Sequence, residues 1–311
     1  MITRIDIKLA TLTLNAIESA VADNADDGMR PHLGASQIGK PCNRSIWYSF
    51  RWAVTTYHEP RMLRLFLRGH REEQTVVKLL EDAGMRVYTV DNKTGKQFVY
   101  ATGHFGGSID GVVFAVPDSP KTPHLLECKT ANAKSFKSIS TLGVQQAKPE
   151  HYAQMQAYMA WAKLTRALYI AVCKDDDQLH IERINFDSKY ADRLFIKAQN
   201  IIDASEPPEK INHQPSWYQC KFCDHQLLCH DTLKPLKSCR TCAHVTPEKD
   251  AQWHCRIHKR MLSINEQKGG CAYHLFIPAL LCNIGKPIDS GDTWVEYQHK
   301  DSNKTFVDGL K

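Results

Sequence analysis

The chain has 311 residues, 42% of them hydrophobic and 24% charged, which suits a globular protein that buries a substantial core as one elaborated domain or two smaller ones. The net charge of +6 and the pI near 8.7 are compatible with a polyanionic partner, but many enzymes share such an excess. No stretch is long and apolar enough to span a bilayer. Charges among the first twenty residues argue against a secretory signal, so no membrane association is expected.

Eleven cysteines need an explanation. We expect the protein to work in a bacterial or phage-infected cytoplasm, where thiols stay reduced and clustered cysteines hold metals more often than they pair. Most of them lie after residue 219, so the C-terminal third is the candidate metal-binding region.

The first half of the chain reads as helices followed by strands. An amphipathic helix is predicted first, and a short helix follows the lone Cys42. A long helical pattern ends at Gly84, and a meander of four strands comes after it, which indicates an α+β fold. The predicted ranges are helices 8–22 and 62–83 and strands 86–90, 97–102, 108–116 and 124–129.

The second half continues with a strong helix, two strands and a closing helix. The strand over 166–173 is apolar after Arg166, as expected of a buried strand, and the next one alternates. Glu206-Pro207-Pro208 marks a boundary before the cysteine clusters. The predicted ranges are helices 151–163 and 187–203 and strands 166–173 and 179–186.

Two strands carry charged residues where a purely structural sheet would be apolar. Asp110 lies between glycines at a strand start, and strand alternation places Glu127 and Lys129 on one face of the next strand. Phosphodiester hydrolysis needs hard oxygen ligands for Mg²⁺ or Mn²⁺ and a group that serves the attacking water. Asp110, Glu127 and the Cys128 backbone carbonyl are the candidate metal ligands, and Lys129 is the candidate for the water. A bare E-x-K also occurs by chance.

The order of motifs resembles the RecB-like branch of the PD-(D/E)xK nuclease superfamily. Gly107–Gly111 gives G-x-x-D-G, the E-x-K strand follows, and Gln154 and Tyr158 form Q-x-x-x-Y on a later helix. The resemblance implies that Gln154 and Tyr158 support the catalytic lysine and contact substrate. It also assigns Glu73, in the G-x-x-x-(H/E) pattern of the long helix, as a residue near the metal.

A second resemblance concerns Cys42 and the C-x2-C-x5-C run. One cysteine before a nuclease core and three after it are similar to CRISPR-adaptation nucleases and AddB nuclease domains, in which the four hold a [4Fe-4S] cluster. That resemblance implies an iron–sulfur staple on Cys42, Cys220, Cys223 and Cys229. The spacing alone leaves open a zinc knot completed by His225 or His230.

A further C-x2-C and two later cysteines are typical of a zinc site. Cys239, Cys242, Cys255 and Cys271 are the favoured ligands, with His258 and His274 as possible substitutes. Basic residues surround this group, so phosphate contact by the module is an open alternative to a structural role. They are Lys234, Lys237, Arg240, Arg256, Lys259 and Arg260.

Together these features predict a mixed α/β (α+β) fold: a PD-(D/E)xK restriction-endonuclease-like core with a mixed central sheet flanked by helices, and a small C-terminal zinc-binding module. The segments are 1–60 (N-terminal helices with one cluster cysteine), 61–205 (nuclease core), 206–234 (iron–sulfur cysteines) and 235–311 (zinc module and tail). The expected activity is Mg²⁺- or Mn²⁺-dependent exonucleolytic cleavage of DNA in end processing or recombination, as in a phage exonuclease, with a recombination or replication protein as a possible partner.

Three alternatives stay open. A structure-specific endonuclease would use the same active site. A DNA-binding or scaffold protein would keep the fold without catalysis, although it would have no need of Asp110, Glu127 and Lys129 together. A redox sensor is the third alternative, and strongly redox-dependent activity would support it.

Overall fold

The computed structural model describes residues 4–311, with side chains described from residue 10 onward. The α-helices are α1 Arg4–Asp23, α2 Ala35–Ile38, α3 Asn43–Phe50, α4 Pro60–Asp82, α5 Ala133–Leu142, α6 Val144–Ala147, α7 Pro149–Ala162, α8 Ser188–Asp203, α9 Tyr218–Lys221, α10 Gln226–His230 and α11 Ile264–Lys268. The strands are β1 Leu33–Gly34, β2 Arg86–Tyr88, β3 Val99–Thr102, β4 Phe105–Ser108, β5 Gly111–Phe114, β6 His124–Ala131, β7 Arg166–Cys173, β8 Leu179–Asn185, β9 Val245–Pro247, β10 Trp253–Cys255, β11 Arg260–Met261, β12 Gly285–Ser290, β13 Trp294–His299 and β14 Thr305–Gly309.

A five-stranded mixed sheet in the order β2-β5-β6-β7-β8 forms the centre of the molecule. β6 and β7 are parallel, and the other neighbouring pairs are antiparallel. A parallel pair needs a long crossover, which α5, α6 and α7 provide between residues 132 and 165. The apolar β7 is buried along almost its whole length, as predicted, because both faces of the sheet are covered.

The sheet is covered by α4 on one face and by α7 on the other. Val76 and Leu80 of α4 pack on the face that carries Leu126 and Cys128, whereas the buried residues of α7 pack on the face that carries Leu125. α4 begins with Pro60, whose missing N–H costs nothing in a first helical turn. Gly84, with φ +85°, follows its end as predicted.

The single strand predicted over 108–116 is wrong. The chain instead leaves β4 after Ser108 and begins β5 at Gly111, in another sheet. β4 pairs with β1 and β3, and its Gly106 lies so close to Tyr100 that a Cβ would be 2.7 Å from the Tyr100 carbonyl oxygen. The predicted meander is therefore interrupted by a hairpin, and Asp110 lies at the crossing between the two sheets.

The C-terminal residues form two three-stranded antiparallel sheets, β11-β10-β9 and β12-β13-β14. Trp253 and Tyr297 from these sheets belong to the same hydrophobic core as Trp47 and Phe50 of α3. The C-terminal part is thus packed against the N-terminal helices rather than separated from them.

The prediction that Arg240 belongs to a basic surface is wrong. Its side chain is fully buried: Nη2 donates to the Pro31 carbonyl at 2.9 Å, and the guanidinium lies 3.6 Å from the Trp52 ring centroid. A buried guanidinium cannot contact phosphate, so Arg240 stabilises the packing of the C-terminal part instead. No helix among residues 4–311 is long and apolar enough to cross a membrane.

Candidate active site

Asp110, Glu127 and Lys129 come together at the β5–β6 edge where the two sheets meet. Gly111 pairs with Leu126, so Asp110 immediately precedes the paired residues and lies next to Glu127. Glu127 and Lys129 share one face of β6 and form an ion pair between Lys129 Nζ and Glu127 Oε1. The predicted arrangement on one face is confirmed.

Glu127 is fully buried, and Lys129 is the ion-pair partner of its carboxylate. Burial raises the pKa of Glu127 to about 7, with Lys129 opposing the shift and Asp110 adding to it. A fully buried carboxylate that repels a second carboxylate is costly in a structural role even with Lys129 as its partner, so its presence points to a function.

Lys129 keeps a quarter of its side chain exposed. Burial disfavours its charge, but the negative charges of Glu127 and then Asp110 outweigh that effect and raise the pKa of Lys129. It therefore carries its positive charge at neutral pH, beside the carboxylates.

Asp110 is fixed by the backbone of β6. Its Oδ2 accepts a hydrogen bond from the Cys128 backbone N–H at 2.8 Å. This bond orients the Asp110 carboxylate toward β6 and leaves its other oxygen available.

Glu73 approaches the same place from α4. Burial and the charge of Asp110 raise the pKa of Glu73, so the helix brings a third carboxylate within electrostatic reach of the strand residues. The exposed His70 lies one turn earlier, with Nδ1 3.7 Å from Glu73 Oε2.

Gln154 and Tyr158 occupy adjacent turns of α7, and Gln154 Nε2 donates to the Tyr158 hydroxyl at 3.4 Å. The Tyr158 hydroxyl lies against Gly107, where a Cβ would be only 2.6 Å away, so this position needs glycine. Burial, followed by the charge of Glu127, raises the pKa of Tyr158. α7 therefore covers the face that carries Glu127 and Lys129.

His151 and Tyr169 are two residues beside the site that the sequence analysis did not single out. His151 lies one turn before Gln154, and its Nδ1 is 3.0 Å from the Tyr169 hydroxyl. Tyr169 pairs in register with Glu127 across the parallel β6–β7 ladder. The spacing of three residues between His151 and Gln154 was the signal that could have identified His151.

The first cysteine set is brought together from distant parts of the chain. Cys42, Cys220, Cys223 and Cys229 line one cavity. Burial and then the charges of Cys42 and Cys223 raise the pKa of Cys220, so these thiols are electrostatic neighbours.

His225 also lines this cavity, with Nδ1 3.9 Å from Cys223 Sγ, and both ring nitrogens have hydroxyl neighbours. Nδ1 is 3.2 Å from Ser45 Oγ, and Nε2 is 3.4 Å from Ser49 Oγ. The imidazole is therefore held by hydroxyl groups of α3.

The second cysteine set also lines a single cavity, which contains Cys239, Cys242, Cys255 and Cys271. Burial raises the pKa of Cys239 to about 12, and the charges of Cys242, Cys271 and Cys255 follow in that order. His274 lines the same cavity, but its Nε2 is within 3.0 Å of the Ser238 carbonyl oxygen.

No group of three or more His, Cys, Asp or Glu side chains in the described part of the chain is arranged closely enough to hold a metal ion as it stands. All eleven cysteines have free thiols. The three carboxylates and the two sets of cysteines are candidate metal sites.

Among solved structures, the chain is similar to an alkaline exonuclease, LHK-Exo, from Laribacter hongkongensis, at 20% identity and a TM-score of 0.40, over 60% of this chain and 90% of that one. It is also similar to a phage-related exonuclease from Haemophilus somnus 129PT, at 13% identity and a TM-score of 0.40, over 55% of this chain and 91% of that one. No curated protein sequence matches the chain. Residues 34–165 match the family described as the YqaJ-like viral recombinase domain, a range that includes Glu73, Asp110, Glu127, Lys129, Gln154 and Tyr158.

Proposed function

We propose that this chain is a divalent-metal-dependent DNA exonuclease that hydrolyses phosphodiester bonds during DNA end processing or recombination. The observation that carries the proposal is the convergence of three carboxylates, Glu73, Asp110 and the fully buried Glu127, beside the charged Lys129. The match of residues 34–165 to a viral recombinase domain supports the same activity.

The residues fit a hard divalent cation. After burial, the charges of Asp110 and Glu73 raise the pKa of Glu127, and the charge of Asp110 raises the pKa of Glu73; a bound cation removes this repulsion. Glu73, Asp110, Glu127 and the Cys128 backbone carbonyl would hold Mg²⁺ or Mn²⁺. When bound, the cation polarises the phosphate and lowers the pKa of the attacking water.

The chain's own groups supply the remaining chemistry. Lys129, kept charged by its carboxylate neighbours, orients the water and stabilises the negative charge that develops on the phosphate oxygens. Gln154 and Tyr158 cover this face of the sheet, restrict water and contact the substrate strand. Asp110 stays in place through its bond from the Cys128 N–H.

For Cys42, Cys220, Cys223 and Cys229 we propose a [4Fe-4S] cluster with a structural role. Four thiols around one cavity supply the thiolate donors that such a cluster takes. Cys42 lines the cavity with the other three cysteines, so the four thiols form a complete ligand set without His225. The cluster would connect the start of α3 to the α9–α10 segment and stabilise their packing.

For Cys239, Cys242, Cys255 and Cys271 we propose a structural Zn²⁺ site. Each thiol raises the pKa of Cys239, and shared coordination of a cation removes this repulsion. Cys271 lines the cavity together with the other three thiols, so the four cysteines supply a complete tetrahedral ligand set. We also propose that the chain divides into the segments 1–60, 61–205, 206–234 and 235–311. We propose a reducing cytoplasm as the compartment, since both cysteine sites need free thiols.

Metal analysis separates the two thiol sites. Protein purified without oxygen should contain about four iron and about one zinc per chain. Cys229→Ser should lose iron and keep zinc, whereas the matched variant Cys242→Ser should lose zinc and keep iron. Loss of the same metal in both variants would contradict the assignment.

Products from end-labelled linear and closed circular DNA test the activity. With Mg²⁺ or Mn²⁺, we expect mononucleotides or short products from linear DNA, no cleavage of the circle, and no activity in EDTA. Cleavage of the circle would favour the endonuclease alternative. Absence of any metal-dependent cleavage by the wild-type protein would favour a binding protein.

A further inference from the structure

His151 lies on the side of α7 that faces the catalytic strand. It precedes Gln154 by three residues and Tyr158 by seven, so the three form one stripe along the helix. The charge of Lys129 acts on the pKa of His151, which places the imidazole within electrostatic reach of that lysine. The side chain is half-buried, unlike its fully buried partner Tyr169.

Tyr169 determines which nitrogen of His151 carries the proton. Among the described residues, His151 Nδ1, at 3.0 Å, is the hydrogen-bond partner of the buried Tyr169 hydroxyl, and donation from the hydroxyl to Nδ1 is the arrangement that leaves no buried hydroxyl proton without an acceptor. Nδ1 then accepts, so the neutral imidazole carries its proton on Nε2. The Nε2–H has no hydrogen-bond acceptor within residues 10–311.

The neutral state of His151 follows from its surroundings. Burial, and then the charges of Lys129 and Lys148, lower the pKa of His151 to about 3. Burial raises the pKa of Tyr169, Lys129 opposes this rise, and the strand residues Glu127 and Glu182 add to it. His151 is thus a neutral donor within electrostatic reach of Lys129.

We propose that His151 donates a hydrogen bond from Nε2 to a phosphate oxygen of the bound DNA strand, and that Tyr169 holds the imidazole in the tautomer that can do so. This inference rests on the proposed function and adds a substrate-binding residue to it. A hydrogen bond from a neutral donor to a charged phosphate is of the stronger, charge-assisted kind. It positions the strand without reading its sequence.

Binding of linear duplex DNA, measured with Ca²⁺ in place of Mg²⁺, tests the proposal with three variants. His151→Gln keeps an N–H donor near the position of Nε2, His151→Ala removes it, and Tyr169→Phe removes the hydroxyl that fixes the tautomer. We expect the Kd to rise about 10-fold in His151→Ala and to stay within about 2-fold of wild type in His151→Gln. Tyr169→Phe should lie between them.

The slope of log Kd against log salt should stay unchanged in His151→Ala, because a neutral donor releases no counterion. The exposed His213→Ala is the matched control and should bind as wild type. A Kd for His151→Ala within about 2-fold of wild type, or equal weakening in the Gln and Ala variants, would overturn the proposal. Mg²⁺-dependent cleavage by wild-type protein is measured in parallel: its absence would refute the nuclease function, whereas the binding series judges His151 by itself.

Discussion

The backbone N–H of Cys128 donates to Asp110 Oδ2 at 2.8 Å, so a hydrogen bond across two strands fixes the aspartate between Glu127 and Lys129. The Asp110 carboxylate therefore has a structural role in addition to its proposed catalytic role. Substitutions at Asp110 can separate the two.

Asp110→Asn keeps an oxygen acceptor for the Cys128 N–H, whereas Asp110→Ala leaves that donor without a partner. Both variants remove the same negative charge, so charge repulsion cancels in the comparison. We expect Asp110→Asn to be more stable than Asp110→Ala by about 1 kcal/mol, measured by urea unfolding. Equal stability, or a more stable alanine variant, would contradict the structural role of this bond.

Divalent metal should stabilise the folded protein by binding to the carboxylates of Glu73, Asp110 and Glu127. At a concentration about 100 times its Kd, Mn²⁺ should add about 2.7 kcal/mol to the free energy of unfolding, which appears as a rise in Tm. Glu127→Gln should lose most of this rise. Glu72→Gln, on the same helix as Glu73, is the matched control and should keep it. Equal rises in wild type and Glu127→Gln would argue against a metal at Glu127.

Acid should destabilise the protein partly through His151. The pKa of His151 is lowered to about 3 in the folded state, chiefly by burial, whereas the unfolded value is about 6.5. The unfolded chain therefore binds a proton that the folded chain does not, and stability falls as the pH drops below about 6.5.

The matched variant is His151→Gln, which cannot titrate. Between pH 8 and pH 5, wild type should lose about 2 kcal/mol more than His151→Gln, measured by urea unfolding at each pH. The same pH dependence in both proteins would show that His151 does not carry this effect.

Arg240 should contribute to stability and not to DNA binding. Arg240→Met leaves the carbonyls of Pro31 and Phe50 without their donor and removes the contact with Trp52. We expect a loss of at least about 2 kcal/mol in unfolding free energy, with an unchanged salt slope of DNA binding. The exposed Arg260→Met should cost less than about 1 kcal/mol. If Arg240→Met reduced the salt dependence of DNA binding and left the unfolding free energy unchanged, Arg240 would be a phosphate-contacting surface residue after all.

Elements with a strong pattern could be predicted from the sequence. β7 has its predicted bounds, and α8 begins one residue later than predicted, because a continuous apolar run and a long amphipathic pattern each determine one local structure. The meeting of Glu127 and Lys129 followed from strand alternation alone.

The rest depends on contacts between residues far apart in the chain. The break at Ile109 and Asp110 arises because β4 and β5 belong to different sheets, which no local pattern records. Arg240 looks like any surface cation beside a cysteine motif, and only the rings of Trp52 and Trp253 bury it. α5 and α6 were not predicted, although Asn132 caps the first turn of α5 by accepting from the Ser135 N–H.

The rate of nucleotide release from uniformly labelled linear DNA tests the central claim most directly, with wild type, Asp110→Asn and Lys129→Ala compared in Mg²⁺ and in EDTA. We predict release by wild type in Mg²⁺ that is absent in EDTA and at least about 100-fold slower in both variants, which stay folded. Undiminished release by Asp110→Asn or Lys129→Ala, or release that continues in EDTA, would contradict the account.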